Sequence, residues 1–271
     1  VNVAVAEHAF ALLLALAKKI CLTDKHLTME SLHRIGFPAR LYDTTHSPGS
    51  NWARVSGLRT LQGAPLGVLG LGEIGREMAG RASAFGMHLL AIDPDPVETP
   101  ECIESCWSID RFGDLLEQSD VVAVCAPLTP ETDGMFDRDA FRRMRPHALL
   151  INVTRGRIVN EDALLEALRE GWIGGAGLDV TPVEPLPSDH LLWQMDNVVI
   201  TPHTAGASPE RDRAAAMVKQ GMCWPAFAFS VLWALWHRLW LTAVILLIAV
   251  AGLDIMFLVL GADEMTSGIA G

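Results

Sequence analysis

A chain of 271 residues is long enough for one large or two ordinary domains with an ample apolar core. Its formal charge of −11, with no basic run, argues against a nucleic-acid partner. The five cysteines (Cys21, Cys102, Cys106, Cys125, Cys223) show neither a CxxC pair nor a metal-ligand spacing, so they read as core thiols of a reducing compartment and no metal is expected.

No stretch has the pattern of a signal peptide, and the sequence starts at Val1 already inside a helical pattern, as a fragment would. Residues 3–20 (VAVAEHAFALLLALAKKI) predict a strongly apolar helix whose cationic end, Lys18 and Lys19, suits the helix dipole. From Cys21 to Gly63 the pattern is irregular, broken by Gly36, Pro38, Pro48 and Gly49. An excursion of that length is uncommon unless it wraps a partner or a second subunit.

The run Leu66-Gly67-Val68-Leu69-Gly70-Leu71-Gly72-Glu73-Ile74-Gly75-Arg76 then reads as a buried strand, a glycine-rich turn and the opening of a helix. Gly70 permits the tight turn, Gly72 lets the backbone approach a pyrophosphate, and Gly75 lets helix and strand pack closely. Glu73 and Ile74 complete this expected cofactor cradle. Ile74, Met78, Ala82 and Phe85 form the helix's apolar stripe, and Gly86 stops it. Met87–Ile92 gives a second strand ending on Asp93, about twenty residues past the glycines. An acid there accepts hydrogen bonds from a ribose diol and repels a 2′-phosphate, which favours NAD over NADP. The competing reading is an ordinary βαβ unit without a ligand.

Strands and helices keep alternating. Ile109–Gln118 predicts a helix, Val121–Cys125 a strand, Asp139–Met144 a short helix and Ala148–Asn152 a strand. Asn160 caps a helix running through Arg169, and strands follow at Gly175–Leu178 and Val198–Thr201. Apolar strands separated by helices imply a parallel sheet covered on both faces, with ligands beyond the carboxyl ends of the strands. Polar residues just after strands are therefore the candidates. The loop Ala126-Pro127-Leu128-Thr129-Pro130-Glu131-Thr132 lines a cofactor pocket or is merely stiffened by proline. Thr154 and Arg155 follow the next strand, and an arginine there forks onto a substrate carboxylate or makes a surface salt bridge. Asp179 and Glu184 follow the strand after that, and His203 follows Pro202 at the last strand end. An Arg, a Glu and a His at three strand ends of one nucleotide-binding sheet match hydride transfer to a 2-oxo acid: carboxylate anchor, orienting carboxylate and proton donor.

The segments VAEHAFALLLALAKK, LGVLGLGEIGREMAGRASAFGMHLLAIDP, APLTPETDGMF, INVTRGRIVNEDALLEALREG, GAGLDVTPVEPLP and NVVITPHTAGAS together resemble the D-isomer-specific 2-hydroxyacid dehydrogenases, from about residue 1 to about 220. The resemblance implies that Arg155 holds the substrate carboxylate and carbonyl, that His203 moves the proton, and that Glu184 hydrogen-bonds His203. It implies NAD as cofactor, held by Gly70, Gly72, Glu73, Ile74, Gly75, Asp93, Pro127, Thr132 and Thr154, with Asp179 near the nicotinamide carboxamide. It also implies a small 2-oxo or 2-hydroxy acid as substrate, and a homodimer built through the first helix and the irregular segment after it. Family chains carry most of a substrate domain ahead of the position matched by Val1, which makes turnover by this sequence an open expectation.

Composition shifts after residue 221, where half of the eight tryptophans collect (Trp224, Trp233, Trp236, Trp240). Leu239–Leu260 is apolar except for Thr242 and Asp254, and about 20 such residues span a bilayer. A transmembrane helix is the expectation, with the basic residues Arg211, Arg213, Lys219 and Arg238 keeping the preceding domain cytoplasmic. A buried helix of a soluble fold suits the same pattern, and Asp254 is costly inside a membrane. Cys223–Trp240 (CWPAFAFSVLWALWHRLW) resembles the start of a small bacterial membrane-protein family of unknown function. The whole is read as an α/β protein: a Rossmann-type doubly wound parallel sheet over residues 1–221, then a hydrophobic helical tail over 222–271. The function expected is NAD-dependent oxidation or reduction of a D-2-hydroxy or 2-oxo acid. The alternatives are a catalytically incomplete, membrane-tethered NAD-binding module and an artefactual fusion of two genes.

Overall fold

A computed structural model describes residues 2–40, 52–94 and 99–208. Its elements run α1 (Asn2–Ala17), α2 (Ile20–Lys25), α3 (Met29–Arg34), β1 (Pro65–Leu69), α4 (Glu73–Ala84), β2 (His88–Ile92) and β3 (Ser105–Trp107). They continue with α5 (Phe112–Gln118), β4 (Val121–Val124), α6 (Arg138–Arg143), β5 (Leu149–Asn152), α7 (Glu161–Arg169), β6 (Gly175–Leu178) and β7 (Val198–Ile200). The seven strands form one sheet in the order β3-β2-β1-β4-β5-β6-β7, and every pairing is parallel. The chain winds outward from β1 in one direction and from β4 in the other, so the order reverses between these two strands. Ligands of such sheets sit at that reversal, beyond the carboxyl ends.

Both faces are buried, as a parallel sheet requires. In β4, Val121 and Ala123 join the core on the α1 and α4 side, while Val122 and Val124 join that of α5, α6 and α7. Strands β2 and β5 alternate likewise, with Leu89, Ala91, Leu149 and Ile151 on the first side and Leu90, Ile92 and Leu150 on the second. A side chain pointing to either face of the central strands therefore meets helix, and β1, β4, β5 and β6 carry no polar side chain until they end. Helix α1 buries Val5, Ala6, Ala9, Phe10, Leu12, Leu13 and Ala17. It lies so close to β6 that a β-carbon on Gly177 would stand 3.0 Å from Leu12 Cβ.

Several boundaries depart from the sequence expectation. The first helix stops at Ala17 because Lys19 turns left-handed (φ 52°), and a second short helix begins at Ile20. The two lysines serve tertiary contacts: Lys18 Nζ donates to the Arg59 carbonyl at 2.7 Å, and Lys19 Nζ lies 5.1 Å from the centre of the Phe37 ring. The segment expected to be irregular holds α2 and α3, the latter capped by Thr28, whose hydroxyl accepts from Ser31 N. The edge strand β3 was not expected; it has three residues and no alternation to reveal it. Phe85 is exposed rather than core, yet it stacks on Phe10 at 5.3 Å. Of the four cysteines among the described residues, only Cys125 is buried, where burial pushes its thiol up to about 12; Cys21 is exposed, and Cys102 and Cys106 are half-buried.

No helix among the described residues is long and apolar enough to cross a membrane. The expected tail, 222–271, and its span at 239–260 lie outside the described residues.

Candidate active site

Because all seven strands run parallel, the sheet order converts chain positions into a row along one edge. From one side to the other stand Asp93 after β2, Gly70–Gly72 after β1, Pro127 after β4, Thr154 and Arg155 after β5, Asp179 after β6 and His203 after β7. Neighbouring strands lie about 4.8 Å apart, so four spacings from β2 to β6 cover about 19 Å, room for an extended dinucleotide.

The glycine turn has the geometry of a phosphate cradle. Gly70 has φ 94°, and a β-carbon there would come within 2.8 Å of Ala126 N. A β-carbon on Gly75 would overlap the Gly70 carbonyl oxygen, so this glycine lets α4 pack onto the turn itself. Gly72 differs: no described protein atom lies within 4 Å of where its β-carbon would be. Its missing side chain leaves open space in front of the first turn of α4, where free N–H groups and the helix dipole favour an anion. Glu73 and Ile74 open the helix, and the Glu73 carboxylate accepts a short hydrogen bond from Asn2 Nδ2. Asp93 Oδ2 accepts from Leu71 N at 2.6 Å, which ties the acid at the end of β2 to the glycine turn. The residues present fit a dinucleotide pyrophosphate and ribose.

Thr132 and Thr154 act first on their own loops. Thr132 Oγ1 donates to the Pro127 carbonyl at 2.8 Å and accepts from Thr129 N at 2.8 Å, closing the turn after β4. Thr154 N donates to Asn152 Oδ1 at 3.2 Å, and Asn152 Nδ2 donates to the Arg155 carbonyl at 2.9 Å. A fully buried asparagine at the end of β5 thus shapes the turn that presents Arg155. Arg155 itself is exposed, with its Nη1 donating to the Thr154 carbonyl at 2.7 Å. A β-carbon on Gly156 would overlap the Thr181 carbonyl carbon, so the Arg155 turn and the loop carrying Glu184 are in direct backbone contact.

At the ends of β6 and β7 the structure brings Asp179, Glu184 and His203 around one cleft of about 560 Å³, also lined by Thr181, Trp193 and Thr201. Glu184 Oε2 lies 2.7 Å from His203 Nδ1, so an ionised Glu184 accepts from Nδ1–H and leaves Nε2 as the atom that trades a proton. Thr181 N donates to the other Glu184 oxygen at 3.1 Å. The Glu184–Pro185 peptide bond is cis, and His203 sits at φ 56°. The imidazole remains half exposed, at 51%, which keeps it accessible to a ligand in the cleft. Arg155 is not among the residues lining this cleft; it stands at the adjacent strand end.

Asp179 is fully buried in its side chain and faces its own loops rather than open space. Oδ1 accepts from Thr201 Oγ1 at 2.7 Å and Thr204 N at 2.9 Å, while Oδ2 accepts from Ala205 N at 2.8 Å. The Asp179 carbonyl accepts from His203 N at 2.9 Å. Asp179 therefore staples the loop that carries His203. Asn152, Thr181, Thr201 and His8 all support the site and were not singled out by sequence. The one usable signal was a polar side chain in an otherwise apolar run, at His8 in α1 and Asn152 in β5. No group of residues able to hold a metal occurs among the described residues.

The fold and this strand-end row define a dinucleotide-binding α/β protein with a carboxylate-oriented histidine beside the cofactor edge. The family described as D-isomer specific 2-hydroxyacid dehydrogenase, NAD binding domain, matches residues 10–205, and the chain belongs to it. A protein of unknown function family (DUF2628) matches residues 201–270, beginning upstream of the C-terminal stretch quoted from the sequence. A glyoxylate reductase of Korarchaeum cryptofilum is 38% identical over 220 residues, covering 80% of this chain and 61% of the relative. A D-3-phosphoglycerate dehydrogenase of Mycobacterium leprae is 36% identical over 218 residues, covering 80% of this chain and 37% of the relative. Among solved structures, the NAD-dependent formate dehydrogenase of Staphylococcus aureus in complex with NAD superposes with a TM-score of 0.61 at 33% identity, over 76% of this chain and 56% of that one. A D-isomer specific 2-hydroxyacid dehydrogenase of Xanthobacter autotrophicus Py2, in complex with NADPH and MES, gives 0.63 at 32% identity, over 80% and 81%. The chain thus spans from about a third to three-fifths of the length of these two curated relatives.

Proposed function

We propose that the chain carries the cofactor and proton-transfer machinery of an NAD-dependent oxidoreductase acting on a D-2-hydroxy or 2-oxo acid. The observation that carries this is the 2.7 Å bond between His203 and Glu184 on the same sheet edge as the glycine turn. The nicotinamide, when bound, supplies or accepts the hydride. In the reducing direction His203 gives a proton from Nε2 to the carbonyl oxygen, and in the oxidising direction it takes the hydroxyl proton. Glu184 holds the ring through Nδ1 and so turns Nε2 toward the substrate. Arg155 meets the substrate carboxylate and carbonyl, a task suited to a planar fork of donors. Asp179 has its carboxylate committed to the His203 loop, so its contribution to the cofactor is to hold that loop beside the nicotinamide end. Asp93 accepts from the adenosine ribose, and its negative charge favours NAD over a 2′-phosphorylated cofactor.

Arg155 reads the carboxylate and carbonyl that all 2-oxo acids share. A homodimer and a membrane tether through 239–260 complete the proposal. The former is supported by the family, the latter by the apolar composition of that segment. The test is turnover of a 2-oxo acid with NADH in wild type, R155A and H203A. A positioned general acid contributes about 10²–10⁴-fold, so H203A loses at least about 100-fold in kcat while its NADH Kd stays unchanged. Full activity in either variant removes that residue from the mechanism.

A further inference from the structure

We infer that His8, in the first helix, is a positioning residue for the proton-transfer site, acting through a buried chain of Thr201 and Asp179. The inference rests on the assignment of His203 as the proton donor.

His8 Nε2 lies 2.8 Å from Thr201 Oγ1 and 3.3 Å from Asp179 Oδ1. Thr201 Oγ1 lies 2.7 Å from the same Asp179 oxygen. A hydroxyl has one proton, and an ionised carboxylate has none to give. The Thr201 proton is therefore committed to Asp179, and the hydroxyl faces His8 with a lone pair. That fixes the tautomer: His8 carries its proton on Nε2 and donates to Thr201 Oγ1, with Asp179 Oδ1 close enough to share the donor. His8 is thus the donor that polarises the hydroxyl and adds the last positive edge to a carboxylate whose side chain is wholly buried.

The consequence reaches His203 through the backbone. Asp179 collects the N–H groups of Thr204 and Ala205, and its carbonyl collects that of His203. These residues form the turn in which His203 sits at φ 56°, a left-handed conformation uncommon outside glycine. The Nδ1 bond to Glu184 depends on that turn. An imidazole on a helix of the domain therefore sets the pose of an imidazole at the end of β7. A structural packing role for His8 would be served by any side chain of similar size; this role requires a donor at the Nε2 position.

The substitution His8→Leu keeps the volume and removes the donor, whereas His8→Gln places an amide N–H where Nε2 stood, so the variants H8L and H8Q separate the two roles. Imidazole ¹⁵N shifts of the full chain are expected to show the His8 proton on Nε2. In H8L the Thr204 and Ala205 amides exchange about 10-fold faster or more, the size of a hydrogen bond to a charged group, while the amides of Val68 and Val122 in β1 and β4 do not change. Turnover in H8L falls by a similar factor of about 10 in kcat with the NADH Kd unchanged, and H8Q recovers both readouts. An unprotonated Nε2 in the wild type overturns the inference, as does H8L with full amide protection, or H8Q as impaired as H8L. A wild type that binds NADH without turnover speaks against the dehydrogenase assignment, while the ¹⁵N and exchange measurements still decide the role of His8. If H8L does not fold, the wild-type tautomer and H8Q decide it alone.

Discussion

Glycines 72 and 75 sit three residues apart and are glycine for opposite reasons. At Gly75 the protein fills the space a side chain would need, and at Gly72 the space is left open. G75A therefore forces the Gly70 carbonyl and α4 apart, with an expected loss of about 3 kcal/mol or more from overpacking against backbone. G72A meets no protein atom and costs about 1 kcal/mol or less, the helix-capping difference, while weakening NADH binding at least about 10-fold. Urea midpoints and NADH fluorescence titrations on the two variants separate the roles; equal NADH affinity in G72A and wild type would contradict the cradle. Both glycines were legible as a motif, since the GxGxxG spacing is set by chain geometry alone. The motif also assigned Gly72 to the ligand and Gly75 to packing, but did not show that the Gly70 carbonyl oxygen is what crowds Gly75, because that depends on what stands opposite in space. The same limit explains Asp179. Its position after a strand marked it as a site residue, but its bonds to Thr201, Thr204 and Ala205 come from a loop far along the chain.

At the level of elements, the strands β4, β5 and β6 lay within a residue of where their apolar runs predicted, and α7 began where Asn160 could cap it. These are elements whose burial and capping are both written locally. Helices α2 and α3 and the edge strand β3 were missed, being pieces of six, six and three residues that bury one residue at most and are too short to show a period. One connection between elements carries a pH signature. Asp120, just ahead of β4, is pushed up by burial, but hydrogen bonds from Arg145 (2.6 Å) and His147 (2.8 Å) outweigh this and hold its carboxyl below the usual value. A carboxylate lowered in the folded state stabilises it above the unfolded pKa of about 3.9 and loses that contribution as the pH falls through the folded value. Because the pair is partly exposed, the contribution is about 1 kcal/mol or less. D120N is expected to unfold at lower urea than wild type at neutral pH, with the gap closing below about pH 4. A gap that persists unchanged in acid would show that Asp120 acts through its shape and not its charge.

For the whole molecule, the match to the dehydrogenase family over 10–205 gives way to a match to a second family over 201–270, so the two meet upstream of the boundary at residue 221 expected from composition. If residues 239–260 span a bilayer as proposed, the full chain resists extraction from membranes by alkaline carbonate, and a version ending at residue 221 is released. Release of both would remove the tether from the proposal. The domain's own claim to function rests on one edge of one sheet, where seven parallel strands set the glycine turn, Arg155, Asp179 and His203 in a single row and Glu184 meets His203 from the loop after β6. The most direct test of that claim is NADH binding and NADH oxidation on the same purified sample of the full chain, across a panel of 2-oxo acids. Saturable binding with oxidation by at least one 2-oxo acid, lost in H203A, is the predicted result. Saturable binding with no oxidation by any acid in the panel would contradict it and leave a cofactor-binding domain without the chemistry.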